Sequence, residues 1–150
     1  VMVYFHLVGG VIDNMMCQFK QIIKQYHIAP YVIFHGKLFG EQLTQVFSQC
    51  QFAIGSLARH RSGIAHIKTL KNREYACRGI PFAYSECDSD FDHQPYVLKV
   101  PADESPVDIQ SILSFYEHQM LTPAEIRQTV VHLSWKEQMH QVIEKIQINT

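Results

Sequence analysis

Glu74 stands where chemistry or its neutralisation has to be explained. At about 100° per residue, a helix through "LKNREYACRGIPFAYSE" (70–86) puts Leu70, Glu74 and Cys77 on one stripe with Ile67. A carboxylate on a stripe destined for burial is costly unless a partner neutralises it. Lys71 at i−3 and Arg78 at i+4 can do that as an intrahelical ion network, which is the plainer account. The sharper account is that Glu74 awaits a ligand. Two carboxylate oxygens match the two hydroxyls of a vicinal diol, such as a ribose.

Cationic and glycine-bearing turns supply the other candidates. "LARHRSGIA" carries His60 and Arg61 with Arg59 beside them, a set able to clamp a diphosphate or simply to be a solvated charged loop. Lys71 lies one helix away, so convergence of these cations on an anion is an expectation to test. Gly9-Gly10 lets a backbone approach a phosphate or serves only as a tight turn. "DSDFD" (88–92) hints at calcium, but an EF-hand needs Gly at 93 and Glu at 99, where His93 and Lys99 stand. Nine histidines include no HExxH pair. His6 and His35 fall in strands and read as structural. There is neither a serine elbow nor a Walker loop, and no metal or cofactor is expected.

These residues need a frame. Strand-like runs at 1–8, 31–35, 51–56, 81–84 and 96–100 alternate with helices. A first helix begins near Asp13 or Asn14 and runs to about Tyr26, with Met16, Phe19, Ile22, Ile23 and Tyr26 on its apolar face. Gly40 opens a second, with Leu43, Val46 and Phe47 inward. The helix bearing Glu74 ends at Gly79 and Pro81. Later helices are signalled by Ser105-Pro106, by a capping box from Thr122 to Glu125, and by another from Ser134 to Glu137. Such alternation implies βαβ units and a parallel sheet. Ligands of such sheets sit beyond the carboxyl ends of the strands. Those ends carry "GG", "HGK", "SLARHR" and "YSECDSD".

Composition narrows the classes. At 150 residues the chain reads as one domain, and its formal net charge of -1 provides no global field for nucleic acid. No apolar run approaches the roughly 18 residues of a membrane span, and "VMVYFHLVGG" has no signal-peptide anatomy. The four cysteines show no CxxC or zinc spacing. They read as reduced thiols of a cytoplasmic protein, three of them in or near the core. The chain opens directly in a strand, so a piece of a longer protein is expected.

Taken together, "LVGG", "YVIFHGKL", "LTQVFSQCQFAIGSLARHR" and "GIAHIKTLKNREYACRGIPF" resemble the donor-binding, C-terminal half of retaining GT-B glycosyltransferases, over nearly the whole chain. The resemblance implies a Rossmann-like, three-layer parallel sheet with helices on both faces and extra C-terminal helices. It implies binding of a nucleotide diphosphate sugar for transfer to a glycan or lipid acceptor, as in polysaccharide biosynthesis. No metal takes part, and an N-terminal acceptor domain is the missing partner. Glu74 matches the second glutamate of the family's E-x7-E motif, which binds ribose. The first would fall at His66, a departure at the sugar-contacting position. Gly36 and Lys37 match the turn that wraps the base, and Gly9 and Gly10 the turn near the substrate. His60, Arg61 or Lys71 are the cations left for phosphate. A terminal helix crossing to the other half would leave Trp135, Met139, Val142 and Ile146 without their partner. The rivals are a glycosyltransferase-like binding module that has lost its chemistry, and a sugar-nucleotide epimerase half.

Overall fold

The computed structural model describes residues 1–10 and 13–148, without the side chains of 13, 14, 147 and 148. The expected cap at Asp13 or Asn14 therefore lies outside the described side chains. The chain forms two compact units, 1–49 and 50–150.

The first unit holds β1 (Phe5–Val8), α1 (Asp13–Gln25), β2 (Val32–Gly36) and α2 (Gly40–Ser48). β1 and β2 pair in parallel, Phe5 opposite Val32 and Leu7 opposite Phe34. On α1, Met16, Phe19 and Ile23 are half-buried, while Ile22 and, past the helix end, Tyr26 are exposed. Leu43, Val46 and Phe47 of α2 are half-buried, as their spacing requires. His6 and His35 stack with their rings 13° from parallel, and one ring nitrogen of each lies 2.9 Å from the other. One imidazole serves the other as donor, which is the structural role expected for strand histidines.

The second unit holds β3 (Ala53–Ile54), α3 (Leu70–Arg78), β4 (Phe82–Tyr84), β5 (Val97–Lys99), α4 (Ile109–His118), α5 (Pro123–Gln128) and α6 (Trp135–Ile148). Its sheet runs β3-β4-β5, all parallel. β4 is central, and its Phe82, Ala83 and Tyr84 are fully buried, as a two-sided parallel strand requires. Phe82 is the hub of an aromatic core. Its ring centroid lies 5.4 Å from Phe91, 5.7 Å from Tyr75 and 6.1 Å from Tyr96. Ile112 of α4 and Ile126 of α5 are also buried.

The helix ends follow local chemistry. Thr69 caps α3 by accepting the Asn72 N–H, and Gly79 ends it at φ 76°, a left-handed conformation that side chains resist. Thr122 and Glu125 form the expected capping box on α5. Ser134 Oγ accepts the Glu137 N–H at 3.3 Å. α4 departs from expectation. Its cap is Asp108, which accepts from Gln110 and Ser111, and not Ser105. Ser105 is instead bound to Asp103 through both its backbone N–H and its hydroxyl, so the turn at 103–105 comes before the helix can start.

Two further expectations are corrected. The stripe through Leu70, Glu74 and Cys77 is the outward face of α3, with Leu70 84% exposed. Ile67 precedes the helix, so counting from it set the wrong phase, and Asn72 and Ala76 are the buried pair. The cysteines are likewise more exposed than expected. Cys17, Cys77 and Cys87 face solvent, and only Cys50 is half-buried, its thiol pushed up by burial. On α6, Trp135, Met139, Val142 and Ile146 are all exposed. No described helix is long and apolar enough to cross a membrane.

Candidate functional site

Each unit gathers part of the expected site at the carboxyl ends of its own strands. In the first unit, Gly9 and Gly10 follow β1, Gly36 ends β2 and Lys37 comes directly after it. The Gly9 N–H donates to Gly36 O at 2.8 Å, tying the two turns together. Lys37 lies across Gly10 so closely that a Cβ there would meet its Cε at 2.6 Å. The four residues named for the base and substrate turns are thus one cluster, with a cation over a bare backbone.

In the second unit, a 3₁₀ turn at Arg59–Ser62 follows β3. It does not bring His60, Arg61 and Lys71 onto one point. Arg61 Nε donates to Glu104 Oε1 at 2.8 Å, and Nη2 donates to Oε2. His60 Nε2 lies 3.0 Å from the same Oε1. These bonds from Arg61 and then His60 pull the Glu104 carboxyl down to about 2. Lys71 looks elsewhere. Its ammonium reaches toward Gly55 O at 3.5 Å, at the end of β3. Burial lowers its pKa, the nearby Arg59 lowers it further, and the charge of Glu86 counters them.

Glu86 is the residue that the sequence did not single out, and its partner is Arg59, named there beside His60 and Arg61. Glu86 follows β4, is only 2% exposed, and accepts the Arg59 N–H on Oε1 at 2.9 Å. Its Oε2 has no hydrogen-bond partner among the described residues. An acid directly after a buried strand was the signal, in "PFAYSE". Its neighbourhood depends on a long-range contact that no local pattern shows.

His66 is exposed and forms a parallel bridge to Cys87, with the Ile67 N–H donating to Cys87 O at 3.0 Å. Glu74 accepts from Arg78 Nη2 at 3.0 Å and from Nε at 3.2 Å, both on Oε1, with its side chain 43% exposed. The ion network therefore exists, but with Arg78, while Lys71 has turned to the sheet edge.

The loop after β4 is held by a separate network. Arg73 binds Asp88 and Asp90, Lys68 binds Asp90 at 2.7 Å, and Asn72 donates to the buried Asp88 at 3.4 Å. Asp92 Oδ1 takes the Tyr84 hydroxyl at 2.5 Å, the Asp88 N–H at 3.1 Å and Lys99 at 2.9 Å. "DSDFD" thus spends its acids on internal cations. Among the described residues, no group of three or more metal-type ligands converges.

No family model and no curated protein matches the chain. Among solved structures it is similar to AviGT4, a glycosyltransferase involved in avilamycin A biosynthesis, with a TM-score of 0.68 and 15% identity. The match covers 94% of this chain and 41% of that one. The likeness is one of fold: mixed α/β and Rossmann-like, with parallel strands flanked by helices.

Proposed function

We propose that this chain is the donor-binding part of a glycosyltransferase, taking a nucleotide diphosphate sugar for transfer to a glycan or lipid acceptor. The observation that carries the reading is the fold likeness to a glycosyltransferase across 94% of the chain. The grouping of the candidates at strand carboxyl ends supports it. Within the second unit, Glu74 is assigned the ribose diol. Lys71, with Arg59 beside it, is assigned the diphosphate. There it opposes the charge that builds on the leaving group, an electrostatic effect that is largest where water is excluded. His66 stands at the sugar-contacting position and offers one neutral donor or acceptor where the family resemblance puts a carboxylate.

The test is isothermal titration of the chain with uridine, guanosine and adenosine diphosphates, and with the corresponding monophosphates. The expected result is a preference for the diphosphate of one base that weakens with salt. Absence of binding by all three diphosphates overturns the reading.

A further inference from the structure

The Arg61–His60 pair already holds an anion, and that anion belongs to the chain. Glu104 meets it with both oxygens: Oε1 takes Arg61 Nε at 2.8 Å and His60 Nε2 at 3.0 Å, and Oε2 takes Arg61 Nη2. Two nitrogens of a guanidinium fork plus an imidazole N–H form the donor set that would grip a phosphoryl group. The contact borders a cavity of about 190 Å³ walled by Leu57, Ala58, Pro101 and Val107, with Asp103 beside it. The cavity lies past the end of β3 and the end of β5, the edge where ligands of parallel sheets bind.

The tie is built to be released. Arg61 and Glu104 are 65% and 63% exposed, so water screens their attraction and the pair contributes little to stability. Glu104 sits on the segment between β5 and α4, anchored behind it by the Asp103–Ser105 turn and by the Asp108 cap. That turn holds the carboxylate in place without burying it. The terminal phosphoryl group of pyrophosphate, or of the nucleoside diphosphate left when a nucleotide sugar loses its sugar, brings about twice the negative charge of a carboxylate and three acceptor oxygens. That charge favours it over a monoanion at the same fork.

We propose that Glu104 is a built-in competitor: its carboxylate fills the anion seat of Arg61 and His60 until a di- or pyrophosphate ligand displaces it. The inference rests on the nucleotide-diphosphate reading above only for the class of its ligand, because that reading gives the donor's own diphosphate to Lys71 and Arg59; the Arg61–His60 seat is a second, separate anion site and can be probed without a nucleoside. Inorganic pyrophosphate is titrated into the wild type, Glu104→Gln, and Glu104→Gln combined with Arg61→Gln, with melting curves to verify folding. Glu104→Gln should bind pyrophosphate about fivefold tighter at low salt, the upper range of an exposed ion pair expressed as affinity. The gain should vanish in the double variant and shrink as salt rises. Equal or weaker binding by Glu104→Gln overturns the proposal, because a mere loop tether gives no gain when it is cut. Uridine, guanosine and adenosine diphosphates separate the two readings. A pyrophosphate gain with no diphosphate binding by either protein supports the competitor and overturns the nucleotide reading. Diphosphate binding that is the same in both proteins, without a pyrophosphate gain, does the reverse.

Discussion

The Arg78 guanidinium donates twice to a single oxygen of Glu74, four residues before it, on the outward face of α3. An exposed i,i+4 pair is worth a few tenths of a kcal/mol, so it holds the carboxylate in place at little cost to rearrangement. Glu74→Gln therefore separates two roles. If Glu74 binds the ribose diol, affinity for a nucleoside diphosphate should fall roughly tenfold to a hundredfold, the worth of a charged acceptor. A 2′,3′-dideoxy analogue should bind the wild type weakly and lose little more in the variant. Equal titration curves for wild type and Glu74→Gln on the ribonucleotide would end the assignment.

Lys71 should carry a different signature. Burial and Arg59 keep its proton less firmly held than an ordinary lysine's. A diphosphate beside it favours the charged form, so binding should take up protons at alkaline pH and weaken as the pH rises through the Lys71 pKa. Lys71→Met should lower affinity and reduce both the proton uptake and the salt dependence. Titrations in two buffers of different ionisation enthalpy measure the uptake, and an unchanged value in Lys71→Met refutes the role.

Acid should weaken the second unit through its paired carboxylates. Burial tends to raise Asp90, but the Lys68 hydrogen bond and the Arg73 charge bring it below its ordinary 3.8. Asp92 behaves likewise, through Tyr84 and Lys99. With folded values below unfolded ones, the unfolded chain binds more protons in that range, so stability rises with pH there. The contribution is complete above about 4 and is lost as pH falls through the folded values. Asp92→Asn should lower stability at neutral pH and flatten the acid limb of urea midpoints against pH. A limb with the wild-type slope contradicts the network.

Phe82→Ala removes the hub of the aromatic core and should cost about 3–5 kcal/mol. Thr122→Ala removes only a cap and should cost about 1 kcal/mol. Urea unfolding followed by tryptophan-independent circular dichroism checks the ranking, and a milder loss for Phe82→Ala contradicts the packing.

The strand and helix alternation was legible because each strand is a short apolar run closed by Gly, Pro or polar residues. α5 announced itself through Thr122 and Glu125. The phase of α3 was not legible, because Leu70 and Cys77 look apolar enough to be buried while Asn72, which faces inward, does not. Asn72 is buried because Asp88, sixteen residues later, accepts from it. Glu104 escaped notice for the same reason, since its partners Arg61 and His60 lie more than forty residues upstream. Local periodicity reports on a residue's own helix or strand, and these pairings are made across the fold.

β4 has a paired neighbour on each side. The Phe82 N–H donates to Tyr96 O, and the Gly55 N–H of the adjoining segment donates to Ala83 O at 2.7 Å. Freeing either amide strips β4 of a neighbouring strand and uncovers Phe82, so both are expected to exchange slowly, by an opening that approaches unfolding of the second unit. The amides of α6, whose Trp135 is 83% exposed, should exchange through fraying long before. A single deuterium time course thus ranks the parts of this unit from surface helix to central strand.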